Sequence, residues 1–246
     1  MTSEQTGPSG GASASPGLAI DRTAPTERIP LGDGTSWVDR SAGFVVDPEG
    51  LLDACRAGLV WAQAEVLRYD RYVPERRLTA AVPTTSSIVA LTQMGLHLDA
   101  RYRVRFGAPG ALLYRDGRDF QGLHSDREMR WLDETLVAIV VLGARRPFVL
   151  RPRADTVSRA DRTPAGRAEG DVVLRPGHGE LIVLGGRCQR DWLHGVPEAT
   201  GAGPRLSLMW RWTSRRGRPD TNPGYFDGRQ FSDAPRRRGY RTRPVR

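Results

Sequence analysis

The sequence predicts an α+β chain in which two N-terminal helices back an antiparallel β-sandwich or jelly roll. Helical periodicity is confined to the stretch after Asp47 and to residues around 90–105. Beyond Gly110 the texture changes to short runs rich in Val, Ile, Leu and Trp: ALLYR, TLVAIVVL, PFVLR, DVVLR, ELIVLG and RLSLMWRW, separated by Gly, Pro and Asp. No helical pattern lies between these runs, so they are not βαβ units, and strands joined without crossovers pair antiparallel.

Taken in order, residues 1–40 are rich in Gly, Ser, Thr and Pro with little periodicity, which predicts a disordered segment. The first helix opens with Asp47 as N-cap, Pro48 at its first position and Glu49 in its first turn. Leu51, Leu52, Cys55, Leu59, Ala62 and Val66 then supply one apolar face. Leu91, Met94, Leu98, Tyr102 and Phe106 give the second helix the same spacing. TLVAIVVL is apolar throughout and predicts a central strand buried on both faces. The connection at 151–170, RPRADTVSRADRTPAGRAEG, is long and polar, as functional or disordered loops are.

Composition bounds the rest. A chain of 246 residues with 39% hydrophobic content supports one domain, taken as 41–214, with ragged ends. No run approaches the roughly 20 apolar residues of a membrane span, and no apolar leader follows basic residues at the start, so a soluble, cytoplasmic monomer is expected. Cys55 and Cys188 lie too far apart to form a metal half-site and are expected to be reduced and buried. There is no lysine, so all 37 basic residues are arginine; from Arg211 onward eleven Arg stand against three Asp, a side-chain charge of +8. The basic tail, 215–246, is expected to be disordered. Such a tail suits phosphate contacts with nucleic acid, or it is simply a solvated end.

Two His-x-Asp pairs occur, His97-Leu98-Asp99 and His124-Ser125-Asp126. The first falls in the second helical pattern, where residues two apart point roughly 200° from each other and cannot chelate one ion. The second falls in an extended segment, where residues two apart share a face. An imidazole and a carboxylate projecting together are two of the three ligands of a facial iron site. A third would come from His178, in the turn PGHGEL, or His194, in DWLHGVP. His178 reads better as a hydrogen-bonded turn residue. In RLSLMWRW, Leu206, Leu208, Trp210 and Trp212 form one face, while Arg205, Ser207, Met209 and Arg211 form the other. Two arginines turned into a sandwich need partners; acidic side chains or a small dianion would serve, the two Cα atoms being about 20 Å apart. An edge strand with one face in solvent is the other reading.

His124-x-Asp126, then His194, then Arg205 and Arg211 six residues apart, resemble the AlkB family of iron(II)- and 2-oxoglutarate-dependent dioxygenases. LYRDGRDFQGLHSD, PGHGELIVLGG, QRDWLHGVP and PRLSLMWR extend the likeness over about residues 44–212. The resemblance implies a double-stranded β-helix (jelly roll) core and Fe(II) bound by His124, Asp126 and His194. It implies that Arg205 holds the distal carboxylate of 2-oxoglutarate, that Arg211 lies near the metal-chelating end, and that Tyr114 and the Ser207 position also line the co-substrate. Glu128 is the nearest match to the family's acidic residue at the damaged base. Trp61, Tyr69 and Tyr72 are candidates for the substrate lid, Trp61 being also readable as core. Leu112, Ser207 and Met209 depart from the family, which has Asn two residues before the tyrosine and Arg-x-Asn-x-Thr-x-Arg in the last strand.

The implied reaction is oxidative demethylation of N-alkylated bases in DNA or RNA, the work of alkylation repair, with O2 as second co-substrate and formaldehyde, succinate and CO2 as products. The base would be single-stranded or flipped out of a duplex, and Arg side chains of 151–170 and of the tail would hold phosphates. Two alternatives stand beside it: an oxygenase of the same cofactor class acting on a small molecule, lipid or protein, and a nucleic-acid-binding homologue whose site is degenerate.

Overall fold

The computed structural model describes residues 19–68, 71–83, 86–126, 129–130, 132–153 and 168–214. In chain order the elements are β1 (Thr26–Pro30), β2 (Trp37–Ser41), α1 (Pro48–Gly58), β3 (Ala62–Arg68), β4 (Arg71–Ala81), α2 (Val89–Tyr102), β5 (Gly110–Tyr114), β6 (Gln121–His124), β7 (Thr135–Gly143), β8 (Phe148–Pro152), β9 (Val172–Leu174), β10 (Glu180–Gly186), α3 (Cys188–Asp191), β11 (Trp192–Val196) and β12 (Arg205–Thr213). An eight-stranded sheet runs β1-β2-β10-β7-β12-β5-β4-β3, and a four-stranded sheet runs β6-β11-β8-β9, every pairing antiparallel.

Side-chain alternation along β7 shows how the layers meet. Ala138, Val140 and Leu142 join Leu51, Leu52 and Cys55 of α1 and Leu91, Met94 and Leu98 of α2 in one apolar cluster. Val137, Ile139 and Val141 turn the other way, to Phe148, Leu150, Trp192 and Val196 of the small sheet. β7 is therefore a central strand buried on both faces, as its unbroken apolar run predicts. The helices cover one face of the large sheet, and the small sheet covers the other.

α1 starts as its sequence dictates. The Asp47 carboxylate accepts the Gly50 N–H at 2.9 Å, and Pro48 takes a position whose N–H would have no helical partner. It stops at Gly58, however, and Ala62 and Val66 belong to β3 rather than to a longer helix. Positions four apart share a face at period 3.6 and at period 2 alike, so this spacing does not separate helix from strand. α2 ends at Tyr102, where Arg103 adopts a left-handed φ of 54° and its N–H bonds the Asp99 carbonyl.

A second correction concerns the N-terminus. Disorder is expected over residues 1–40, yet β1 and β2 lie within 26–41 and extend the large sheet from β10. Asp33 folds the turn between them by accepting the N–H groups of Thr35 and Ser36 at 2.9 and 2.6 Å. Residues 1–18 and the tail 215–246 lie outside the described residues, as do 154–167 of the long polar connection. No helix among the described residues is long and apolar enough to cross a membrane.

Candidate metal centre

β6 and β11 are neighbours in the small sheet, and their ladder sets His124 opposite His194. The imidazole centroids stand 4.3 Å apart. A bulge follows at once, with Gly122 and Leu123 set against the single residue Gly195. Glycine is required there, because a Cβ at 195 would lie 2.8 Å from the Gln121 carbonyl oxygen. His124 Nδ1–H donates to the Gly122 carbonyl at 2.9 Å, which leaves the Nε2 lone pair free on the side of Asp126.

Asp126 follows β6 by two residues and brings its Oδ1 to 3.8 Å from His124 Nε2. Ligating atoms of His124, Asp126 and His194 all lie within 4.8 Å of one another. Burial drives the His194 pKa down to about 3, with further lowering from His124 beside it. Burial also lowers His124, so both rings are neutral near pH 7. Burial alone would raise the Asp126 carboxyl, but the Arg211 guanidinium beside it outweighs burial and holds the group ionised. Asp126 Oδ1 is buried with no hydrogen-bond partner among the described residues. Two neutral imidazole nitrogens and one orphaned carboxylate oxygen suit a divalent cation of borderline hardness, as a facial triad offers.

β12 supplies the opposite wall. It runs between β7 and β5, so the edge-strand reading is excluded. Leu206, Leu208 and Trp210 enter the helix-side core, while Arg205, Ser207, Met209 and Arg211 face the small sheet. Arg211 Nε donates to Asp126 Oδ2 at 2.8 Å, which fixes this arginine at the metal end. Arg205 lies at the far end in register with Tyr114 on β5, both side chains buried. Its Nη1 reaches the Arg146 carbonyl only at 3.4 Å, and its Nη2 has no hydrogen-bond partner among the described residues. Burial lowers the Arg205 pKa to about 10, which still leaves a full cation near pH 7. A buried cation with an unmet donor is a place for an anion, and a carboxylate meets a guanidinium bidentately. Leu112 stands opposite Ser207, so two of the three departures from the family's pattern share one rung of the β5–β12 ladder, while Met209 lies opposite Gly110.

The remaining expected residues divide. Trp61 packs against the helix-side core and donates its indole N–H to the Arg56 carbonyl at 3.2 Å. It is on the other face of the large sheet from the metal centre, which corrects its assignment to the substrate lid. Tyr72 lies on β4 with a partly exposed side chain. Glu128 and Tyr69 lie outside the described residues. His178 accepts the Gly143 N–H and stands 3.1 Å from Glu49, a turn histidine as expected. Two residues near the site were missed from sequence. Arg77 on β4 is buried beside Tyr114, paired with Glu75 at 3.1 Å; its signal, an acid and a base two apart in Glu75-Arg76-Arg77, brings the two together only in an extended strand. Gln189 on α3 accepts the Asp126 N–H at 2.8 Å and carries no sequence signal.

The sequence profile of the 2OG-Fe(II) oxygenase superfamily matches residues 58–218. An Arabidopsis thaliana protein named DNA oxidative demethylase ALKBH2 is 32% identical over 160 residues, covering 57% of this chain and 51% of that one. Mouse and human proteins named alpha-ketoglutarate-dependent dioxygenase alkB homolog 3 are each 28% identical over 218 residues, covering 81% of this chain and 75% of theirs. The chain thus spans about half the length of the plant relative and three quarters of the mammalian ones. Among solved structures, a 2OG-Fe(II) oxygenase family oxidoreductase from Burkholderia pseudomallei aligns with 16% identity and a TM-score of 0.49, covering 74% of this chain and 87% of that one.

Proposed function

The chain belongs to the 2OG-Fe(II) oxygenase superfamily, and from that membership we propose that it oxidatively demethylates N-alkylated bases in nucleic acid. The observation that carries the reading is the convergence of His124, Asp126 and His194 opposite a central strand bearing Arg205 and Arg211. Fe(II) would be held by the three ligating atoms. The co-substrate 2-oxoglutarate would place its distal carboxylate on Arg205, beside Tyr114 and Ser207, with Arg211 at the metal end. When bound, iron and 2-oxoglutarate would activate O2, one oxygen atom passing to succinate as CO2 is lost and the other hydroxylating a methyl group on a base nitrogen; the N–C bond of the hydroxymethyl group then breaks to give formaldehyde and the restored base.

The protein's own residues do the positioning. Neutral imidazoles offer lone pairs with no proton to displace. Arg211 neutralises the outer oxygen of Asp126 and leaves the inner one to the metal. The names of the plant and mammalian relatives support the substrate class. Base chemistry at a buried centre requires a single-stranded or flipped base, with Tyr69, Tyr72 and Glu128 as its contacts. Arg159, Arg162 and Arg167 of the long connection and the arginines of the tail would grip phosphates, since Arg151 is buried against Asp171 and Arg153 is engaged with Ser125 and the α3 carbonyls. A cytoplasmic monomer completes the reading.

Incubating the protein with an oligonucleotide carrying 1-methyladenine or 3-methylcytosine, Fe(II), 2-oxoglutarate and ascorbate tests it. Formaldehyde and succinate are expected in matched amounts, both dependent on the methylated strand. Succinate without oligonucleotide-dependent formaldehyde would point to another substrate of the same cofactor class. Neither product would mark a degenerate site.

A further inference from the structure

The members of the metal centre are held by different means. His124 and His194 face each other across a β-ladder, which sets both rings through backbone hydrogen bonds. Asp126 lies beyond the last residue of β6, so its carboxylate depends on what grips residues 125 and 126. Arg211 holds the outer carboxylate oxygen. The Asp126 carbonyl accepts the N–H groups of Met129 and Arg130, each at 3.0 Å. Its N–H donates to Gln189 Oε1 at 2.8 Å, and Ser125 Oγ accepts from Arg153 Nη2 at 2.6 Å.

The last two contacts converge on α3. Gln189 is on that turn, and Arg153 also donates to the backbone carbonyls of Arg190 at 2.6 Å and Gln189 at 3.3 Å. α3 leads directly into β11, where His194 is the third residue. One four-residue turn thus delivers the distal histidine and grips the loop of the carboxylate. Gln189 is fully buried, and its amide nitrogen has no hydrogen-bond partner among the described residues. A buried amide with an unmet donor is unfavourable, and an apolar side chain of similar volume fits such a place at lower cost. The acceptor it presents to Asp126 accounts for a glutamine here.

We propose that Gln189 is a positioning residue that sets the Asp126 carboxylate against the two histidines, with Arg153 bracing the same loop through Ser125. This role presupposes the metal centre of His124, Asp126 and His194. Gln189→Met removes the acceptor at nearly constant volume, and Arg153→Met removes the brace. Co(II), as a spectroscopic stand-in for Fe(II), is titrated into metal-free wild type, both variants and Asp126→Ala, and thermal unfolding of each is recorded. Gln189→Met is expected to melt near wild type, bind Co(II) about tenfold more weakly, and show shifted Co(II) absorption bands. A folded Gln189→Met with wild-type affinity and spectrum overturns the proposal. Should Gln189→Met fail to fold, Arg153→Met carries the same expectation and the same refutation. Wild type that binds no Co(II), or Asp126→Ala that binds it like wild type, overturns the metal centre and the brace with it.

Discussion

The same tripeptide spacing, His-x-Asp, occurs on α2 and at the end of β6, and the two regions put it to opposite uses. On α2 the three residues diverge. His97 packs its ring 5.6 Å from Phe44, Leu98 enters the core, and Asp99 accepts the Phe106 N–H at 2.8 Å beyond the helix end. At β6 the outer two converge to 3.8 Å, while Ser125 between them meets Arg153. A hundred degrees per residue separates such a pair, and a half-turn per residue unites it. Chelating capacity therefore belongs to the backbone period as much as to the residues.

Removing the acid from each pair should separate these roles most sharply. Asp126→Ala is expected to abolish iron-dependent turnover and metal binding, measured by succinate release and by Mn(II) titration; retained turnover would break the contrast. Asp99→Ala removes the acceptor of one partly buried N–H at the end of α2, so a loss of about 1 kcal/mol is expected in denaturant unfolding, with metal affinity unchanged. The smallest effect concerns His97, whose pKa burial lowers, helped by Arg101 and Arg22. A histidine lowered on folding binds more protons in the unfolded chain, so stability should fall as pH drops below the unfolded value of about 6.5. His97→Phe should shallow the acid-side decline of the melting temperature; an unchanged decline would show that His97 does not contribute to it.

What was legible in the sequence was what depends on near neighbours. The N-cap of α1, the doubly buried run of β7 and the alternating faces of β12 each follow from residues within a few positions of one another. The meeting of His124, Asp126 and His194 was legible because one pair is local and a spaced arginine strand gave it a context. β1 and β2 were missed because what makes them strands is β10, some 140 residues away, as Arg40 and Glu180 show by pairing across that distance. β3 was absorbed into a helix because a four-residue spacing fits both periods. Gln189 was invisible because its task is one hydrogen bond to a residue 63 positions away.

Arg205 holds its charge inside a central strand with one donor unmet among the described residues, a cost that an anion seated there would offset. A dicarboxylate that meets this donor binds only the folded chain. At a hundredfold excess over its Kd it adds about 2.7 kcal/mol to the free energy of unfolding. Protein saturated with such a dicarboxylate should therefore resist thermolysin longer than protein without it, and Arg205→Met should remove the difference.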